Sequence, residues 1–218
     1  MHDIFIMDEN GGNITPAVTG PGQDICAEWS PDGEMITYQS NVSGNNEIYV
    51  VDLNTKEIRQ LTDDPPHFNG SPYWSPDGEQ LVFFSDKYII DEFDYTSTQI
   101  FRIDIDGNNL TALTDDFGNW EFPPVWSHDD AKIIFYRMFG TYFKLMILDV
   151  SSGELEFLFD DFFPETAWEY AEGRSQVGKY LSFGVLGEEH VMDWETGKVY
   201  PIELDAYGFD YYPDVENE

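Results

Sequence analysis

Three pairs of adjacent aspartates stand in nearly the same local sequence: Asp63 and Asp64 in LTDDPPHFNG, Asp115 and Asp116 in LTDDFGNWEF, Asp160 and Asp161 in LFDDFFPETAW. Carboxylates grouped this way offer hard oxygen ligands to a divalent cation such as Ca2+, or a run of negative acceptors to the lysines and arginines of a protein partner. The competing role for such pairs is local, starting turns and capping backbone amides. A further acidic stretch, DKYIIDEFDYTST (residues 86–98), mixes Asp91, Glu92 and Asp94 with Tyr88, Ile89, Ile90, Phe93 and Tyr95. A loop with that much apolar area is a candidate contact patch. Trp120, with Phe117, Phe122, Phe162, Phe163, Trp168 and Tyr170, could stack on a sugar ring, although such residues more often pack between sheets.

Chemistry of other kinds finds little to work with. No G-x-S-x-G nucleophile elbow and no H-x-H or H-E-x-x-H pair is present, and the four histidines are scattered. The expected cofactor is therefore none, with Ca2+ as the one open candidate. Acidic residues number 43 against 10 basic ones, for a formal charge of −33. A surface so charged repels phosphate backbones and anionic lipid, which argues against nucleic-acid and membrane-surface binding and leaves a basic protein surface, cations or a saline habitat as its complements. Yet 41% of residues are hydrophobic and 17% aromatic, ample for a packed core. No run reaches the ~18 apolar residues of a membrane span, and MHDIFIMDENGG lacks the basic start and apolar stretch of a signal peptide. Cys26 is the only cysteine and is expected to serve as a small core hydrophobe.

The elements that must position these residues are written as repeats. An alternating apolar segment ending in Asp occurs as IFIMD, IYVVD, IFRID, LMILD and HVMD, and its Asp falls at positions 8, 52, 104, 149 and 193. Each copy runs through a polar turn into a second short strand, the pattern of an antiparallel hairpin. Between these copies lies a different hairpin, built on WSPDG at Trp29 and Trp74, weakened to WSHDD at Trp126, and traceable in RSQVGKYLSF (174–183) and YYPDV (211–215). In the WSPDG turn Pro presets φ, Asp tolerates the next position, and Gly supplies positive φ. The Trp ends the incoming strand and can cap the hairpin with an apolar plate. Two hairpins per period of about 40 to 45 residues give four strands per period, the signature of propeller blades.

The passage LTDDPPHFNGSPYWSPDGEQLVFFSD (residues 61–86) resembles the repeat of TolB-type, WD-repeat-like β-propellers, and the resemblance extends over nearly the whole chain. It implies an all-β propeller, a periplasmic or extracellular setting and a noncatalytic binding role toward a protein partner. Some relatives are prolyl oligopeptidases, whose catalytic domain has no counterpart here. Others are polysaccharide lyases that hold a metal by histidines, so the three histidines expected on one loop face, His2, His67 and His190, make a metal-assisted lyase or hydrolase the alternative. A strongly negative protein would repel a polyuronate. We expect a single domain over 1–218, with repeat units near 3–41, 47–86, 99–138, 142–185 and 189–215 out of phase with the blades. Five blades follow, where the resemblance implies six. The closing blade would be incomplete, since YGFDYYPDV (207–215) can supply only its innermost strand. The alternative is a fragment of a larger protein, with open strand edges that invite pairing. In either arrangement the loops after each fourth strand and those between second and third strands share one face, which gathers the aspartate pairs and the 86–98 loop.

Overall fold

The computed structural model describes residues 2–87, 97–115, 120–121, 123–139, 142–158, 175–177, 180–185, 188–194 and 196–201. Their regular structure is strand throughout. A two-stranded sheet, β1 (Ile4–Ile6) and β2 (Thr15–Val18), is followed by four sheets of four strands each. The first holds β3 (Asp24–Trp29), β4 (Met35–Ser40), β5 (Glu47–Asp52) and β6 (Ile58–Gln60). The second holds β7 (Asn69–Trp74), β8 (Gln80–Ser85), β9 (Gln99–Asp104) and β10 (Thr111–Ala112). The third holds β11 (Val125–Trp126), β12 (Lys132–Phe139), β13 (Tyr142–Asp149) and β14 (Leu155–Phe157), and the fourth β15 (Ser175–Val177), β16 (Tyr180–Val185), β17 (Glu188–Asp193) and β18 (Val199–Pro201). Within each complete sheet the strands lie side by side in chain order, all antiparallel. We call these positions a to d. By sequence period β1 and β2 are positions c and d.

The core lies between sheets. Ile4 and Val18 pack on Ile36, Tyr38, Tyr49 and Val51 of the first complete sheet. The opposite side of that sheet sends Ile48 and Val50 against Trp74, Leu81, Phe83 and Phe101 of the second. Val82 and Ile100 of the second meet Trp126, Ile133, Phe135 and Met146 of the third, and Ile134, Tyr136 and Leu145 of the third meet Leu181, Phe183 and Met192 of the fourth. Alternate residues of one strand thus feed the interfaces on its two sides, which is why positions b and c read as nearly continuous apolar runs. Each fully buried Leu, Ile or Phe contributes about 1.5–3 kcal/mol. Face-to-face packing of successive sheets is the propeller arrangement. Among the described residues the four-stranded sheets number four, and the residues at 207–215 expected to begin a fifth lie outside them.

The WSPDG turns have one geometry. Ser30 Oγ donates to Asp32 Oδ1 at 2.6 Å and accepts from the Met35 N–H at 2.9 Å, while Asp32 Oδ1 accepts from the Glu34 N–H at 3.0 Å. Ser75 with Asp77, and Ser127 with Asp129, repeat these contacts, the serine-to-aspartate bond being 2.6 Å in both. Gly33 and Gly78 sit at φ of 73° and 75°, and Asp130, in the glycine place of the third turn, is held at 59°. Two tryptophans behave as expected: Trp74 is 3% exposed and Trp126 2%. Trp29 differs, at 50%. Cys26 corrects the sequence expectation. It is exposed, at φ of 53°, in the irregularity of β3 between Ile25 and Glu28, on a stretch where Ile25 and Ala27 are exposed as well, so no core lies against either side of it.

Hydrogen bonds fix which loops share an end. Position a–b turns bond c–d turns, from the amides of Leu53, Ile105 and Val150 to the carbonyls of Glu34, Glu79 and Ala131. At the other end the d–a segments meet the b–c loops: the Phe68 N–H donates to Asp86 Oδ1 at 2.8 Å, and the Met138 N–H to the Trp120 carbonyl at 2.8 Å.

Candidate binding face

The aspartate pairs are hung from threonines. Strand d is followed by Leu-Thr, and after the Leu61 N–H has bonded the Ile48 carbonyl at 2.8 Å, the Thr62 hydroxyl accepts from the Ile48 N–H at 2.9 Å. A side chain thereby finishes the ladder that the backbone leaves. Thr62 Oγ1 then donates its own proton to Glu47 Oε2 at 2.6 Å. Glu47 is 1% exposed and also receives Asn69 Nδ2 at 2.8 Å. In the next sheet Thr114 accepts from the Ile100 N–H at 3.0 Å and donates to Glu121, itself 1% exposed. Glu121 further accepts from the Ile100 N–H at 3.0 Å and from Arg137 through Nε at 2.9 Å and through its terminal nitrogen. Thr98 clamps the Glu121 backbone, donating to its carbonyl at 2.6 Å and accepting from its N–H at 2.7 Å. Burial pushes the Glu121 carboxyl up against the opposing pull of Arg137.

These anchors set the pairs at the rim. Asp63 and Asp115, each directly after its threonine, are exposed. Asp64 turns inward, accepting from Asn69 Nδ2 at 2.7 Å and pairing with Lys87 Nζ at 2.8 Å. Asp86, from the b–c loop, receives the Phe68 N–H and faces His67 Nδ1 at 3.5 Å, and burial pushes its carboxyl up. The structure thus brings Asp63, Asp64, Asp86 and Lys87 to one end of the second sheet. Half-buried Trp120, next to Glu121, lies in the equivalent segment before the third. Asp116, Asp160, Asp161, Tyr88, Asp91, Glu92, Phe93, Asp94 and Tyr95 lie outside the described residues.

Of the three histidines expected on this face, His67 joins them through Asp86, and the other two stand apart. His2 is exposed and its carbonyl accepts the Asp24 N–H at 2.9 Å. His190 is buried within β17, its ring stacked on Phe183 at 5.8 Å. Among the described residues no group of three or more His, Cys, Asp or Glu is placed to hold a metal ion. The sequence reading missed Glu47, Asn69, Glu121 and Arg137. The signal was available: positions 47 and 99, 62 and 114, and 69 and 121 share the interval of 52 residues that separates Trp74 from Trp126.

The model of the TolB beta propeller domain matches residues 1–169. This chain belongs to the TolB β-propeller family. An uncharacterized protein of Agrobacterium fabrum, Atu1656, is 32% identical over 142 residues, which are 63% of this chain and 47% of that one, so the chain spans about half the length of this relative. The crystal structure of TolB from Acinetobacter baumannii superposes with a TM-score of 0.64 at 23% identity, covering 92% of this chain and 49% of that one. An oligogalacturonate lyase in complex with manganese superposes at 0.67 with 18% identity, covering 92% and 58%. At these identities the two structures speak for the fold. TolB-family sheets here carry no helix among the described residues that is long and apolar enough to cross a membrane.

Proposed function

We propose that this TolB-family propeller is a noncatalytic binding protein whose acidic loop face receives a basic protein segment in a periplasmic or extracellular setting, with Ca2+ as a further ligand of the paired carboxylates. What supports the reading is the anchoring: in both described loops a buried threonine and carboxylate fix the base, and the next aspartate projects into solvent. Carboxylates on rigid supports lose little freedom when they meet a cation, and a face of one sign accelerates encounter with the opposite sign. The test is to replace Asp63, Asp64, Asp115, Asp116, Asp160 and Asp161 by Asn together. The circular dichroism spectrum should stay as it is while affinity for an oligolysine peptide at low salt falls at least ten-fold. Unaltered affinity overturns the proposal.

The likeness to a manganese-bound lyase favours a second reading, a metal-assisted polysaccharide lyase or hydrolase. The described residues do not fit that metal, since His67 pairs with Asp86 and His190 is packed in a strand. Elemental analysis of the purified protein separates the two readings, stoichiometric manganese or another transition metal reviving the enzyme.

A further inference from the structure

Three successive joints between a d–a segment and a b–c loop place different chemistry at one position. The 45 and 52 residues that separate Trp29, Trp74 and Trp126 also relate Asn41, Asp86 and Met138, and Gly22, His67 and Asn119. At the first joint the Gln23 N–H donates to Asn41 Oδ1 at 2.8 Å. At the second the Phe68 N–H donates to Asp86 Oδ1, again at 2.8 Å, and the Asp86 N–H returns a bond to the Phe68 carbonyl at 3.4 Å. At the third the Met138 N–H donates to the Trp120 carbonyl. A neutral amide oxygen thus suffices to hold the joint, and of the three only the second places a carboxylate there.

A carboxylate is the costlier acceptor to cover, and burial pushes the Asp86 carboxyl up. What accompanies it is His67, whose Nδ1 lies 3.5 Å from Asp86 Oδ1 with both side chains partly buried. Glycine stands in that place at the first joint. Acid and imidazole therefore enter the repeat together. Phe68 sets its ring edge-on against Phe84 of β8 at 5.5 Å, so the segment that carries His67 is packed on the strand that leads into Asp86.

The other charges around the pair are committed elsewhere. Among the described residues they are Asp64 and Lys87, which pair with each other at 2.8 Å, and Glu47 of the first sheet, which is bound to Thr62 and Asn69. Histidine is the side chain that ordinarily changes charge between pH 5 and 8. A hydrogen bond between ionised partners is roughly twice as strong as a neutral one. Further acidification discharges the carboxylate and removes the gain.

We infer that His67 and Asp86 form a pH-sensitive clasp between the d–a segment and the b–c loop of the second sheet, which tightens as His67 takes its second proton and stiffens the rim that carries Asp63 and Asp64. The clasp stands whether or not that rim receives a basic segment, because it is read from contacts within the chain.

Amide hydrogen exchange on the full chain, corrected for intrinsic rates, tests it at pH 8 and pH 5.5. Protection of the Phe68 amide should rise about three-fold on acidification, while the amides of Gln23 and Met138, whose acceptors carry no charge, hold their values. His67→Gln should remove the rise. Asp86→Asn, which writes the residue of the first joint into the second, should leave Phe68 as protected as in the parent at pH 8 and indifferent to pH. Both variants should keep the parent's circular dichroism spectrum. A rise of equal size in either variant, a rise shared by Gln23 and Met138, or a Phe68 amide equally protected at both pH values overturns the inference.

Discussion

Thr62 and Thr114 hold the same place in successive sheets, and each hydroxyl takes a backbone proton and gives its own to a buried carboxylate. The carboxylate reaches them from opposite sides. At Thr62 it belongs to Glu47, at the start of strand c, and the amide of Asn69 faces it from the next sheet. At Thr114 it belongs to Glu121, at the place of Asn69, while Gln99 holds the place of Glu47. Acid and amide have changed places, and the count of one carboxylate per threonine has not. What the repeat requires is therefore a proton inventory: a hydroxyl that must donate needs a strong acceptor, and a second carboxylate there would leave two buried like charges together. Neutralisation differs too. Arg137 pairs with Glu121, whereas Ser85 occupies the matching position beside Glu47 and Asn69.

That difference predicts unequal sensitivity. Arg137→Met strands the Glu121 carboxylate in the interface and should cost about 3–5 kcal/mol in urea unfolding. Glu47→Gln removes a charge and keeps an acceptor for Thr62, but turns an amide toward the amide of Asn69, and should cost about 1–2 kcal/mol. The combination Glu47→Gln, Asn69→Glu and Ser85→Arg rebuilds the second anchor in the first position, and should return stability to within about 1 kcal/mol of the parent. A triple variant no more stable than the sum of its parts would break the equivalence of the two sites.

The tryptophans sharpen the same contrast between complete and incomplete neighbours. Trp74→Ala opens a void between two full sheets and should cost about 3–5 kcal/mol. Trp29→Ala, half-exposed beside the two-stranded sheet, should cost under about 1 kcal/mol. Equal losses would mean that the two-stranded sheet covers Trp29 as fully as a complete one covers Trp74.

The sequence made the fold legible where chemistry is local. Alternation, the Asp that ends strand c and the serine, aspartate and glycine of the turn each act within a few residues, so IYVVD and WSPDG announced their hairpins. The loop ends were partly legible: the aspartate pairs stood out as charge, yet the structure separates their members, exposing Asp63 and tying Asp64 to Asn69 and Lys87. The buried anchors were not legible, because Glu47 and Glu121 lie 15 and 7 residues from their threonines on different elements, and one acid replaces the other only when aligned copy on copy. Cys26 was misjudged for a related reason. Strand β3 exposes Ile25, Cys26 and Ala27 together, which depends on what packs against the strand and leaves no mark in residue type.

Exchange of residues between copies has a limit set by the backbone, and the third turn shows it. Gly33 and Gly78 become Asp130, yet φ stays positive, at 59°, where an L side chain is strained. One oxygen of that carboxylate is buried with no hydrogen-bond partner, and burial together with the nearby Asp77 charge pushes the group up. Serine and aspartate at the turn's other positions hold the conformation regardless, through Ser127 and Asp129. Asp130→Gly should therefore stabilise the protein by about 0.5–1 kcal/mol, the relief of strain and of the orphaned oxygen exceeding the added chain entropy of glycine. The gain should be the same at pH 3 and pH 8 if strain dominates, and larger at pH 8 if charge does. A folded pKa above the unfolded one costs nothing while the group is protonated in both states, and its full penalty appears only once pH exceeds the folded value. Urea midpoints of the variant and parent at pH 3 and pH 8 decide between them, and a loss of stability at both would show that the aspartate earns its place in the turn.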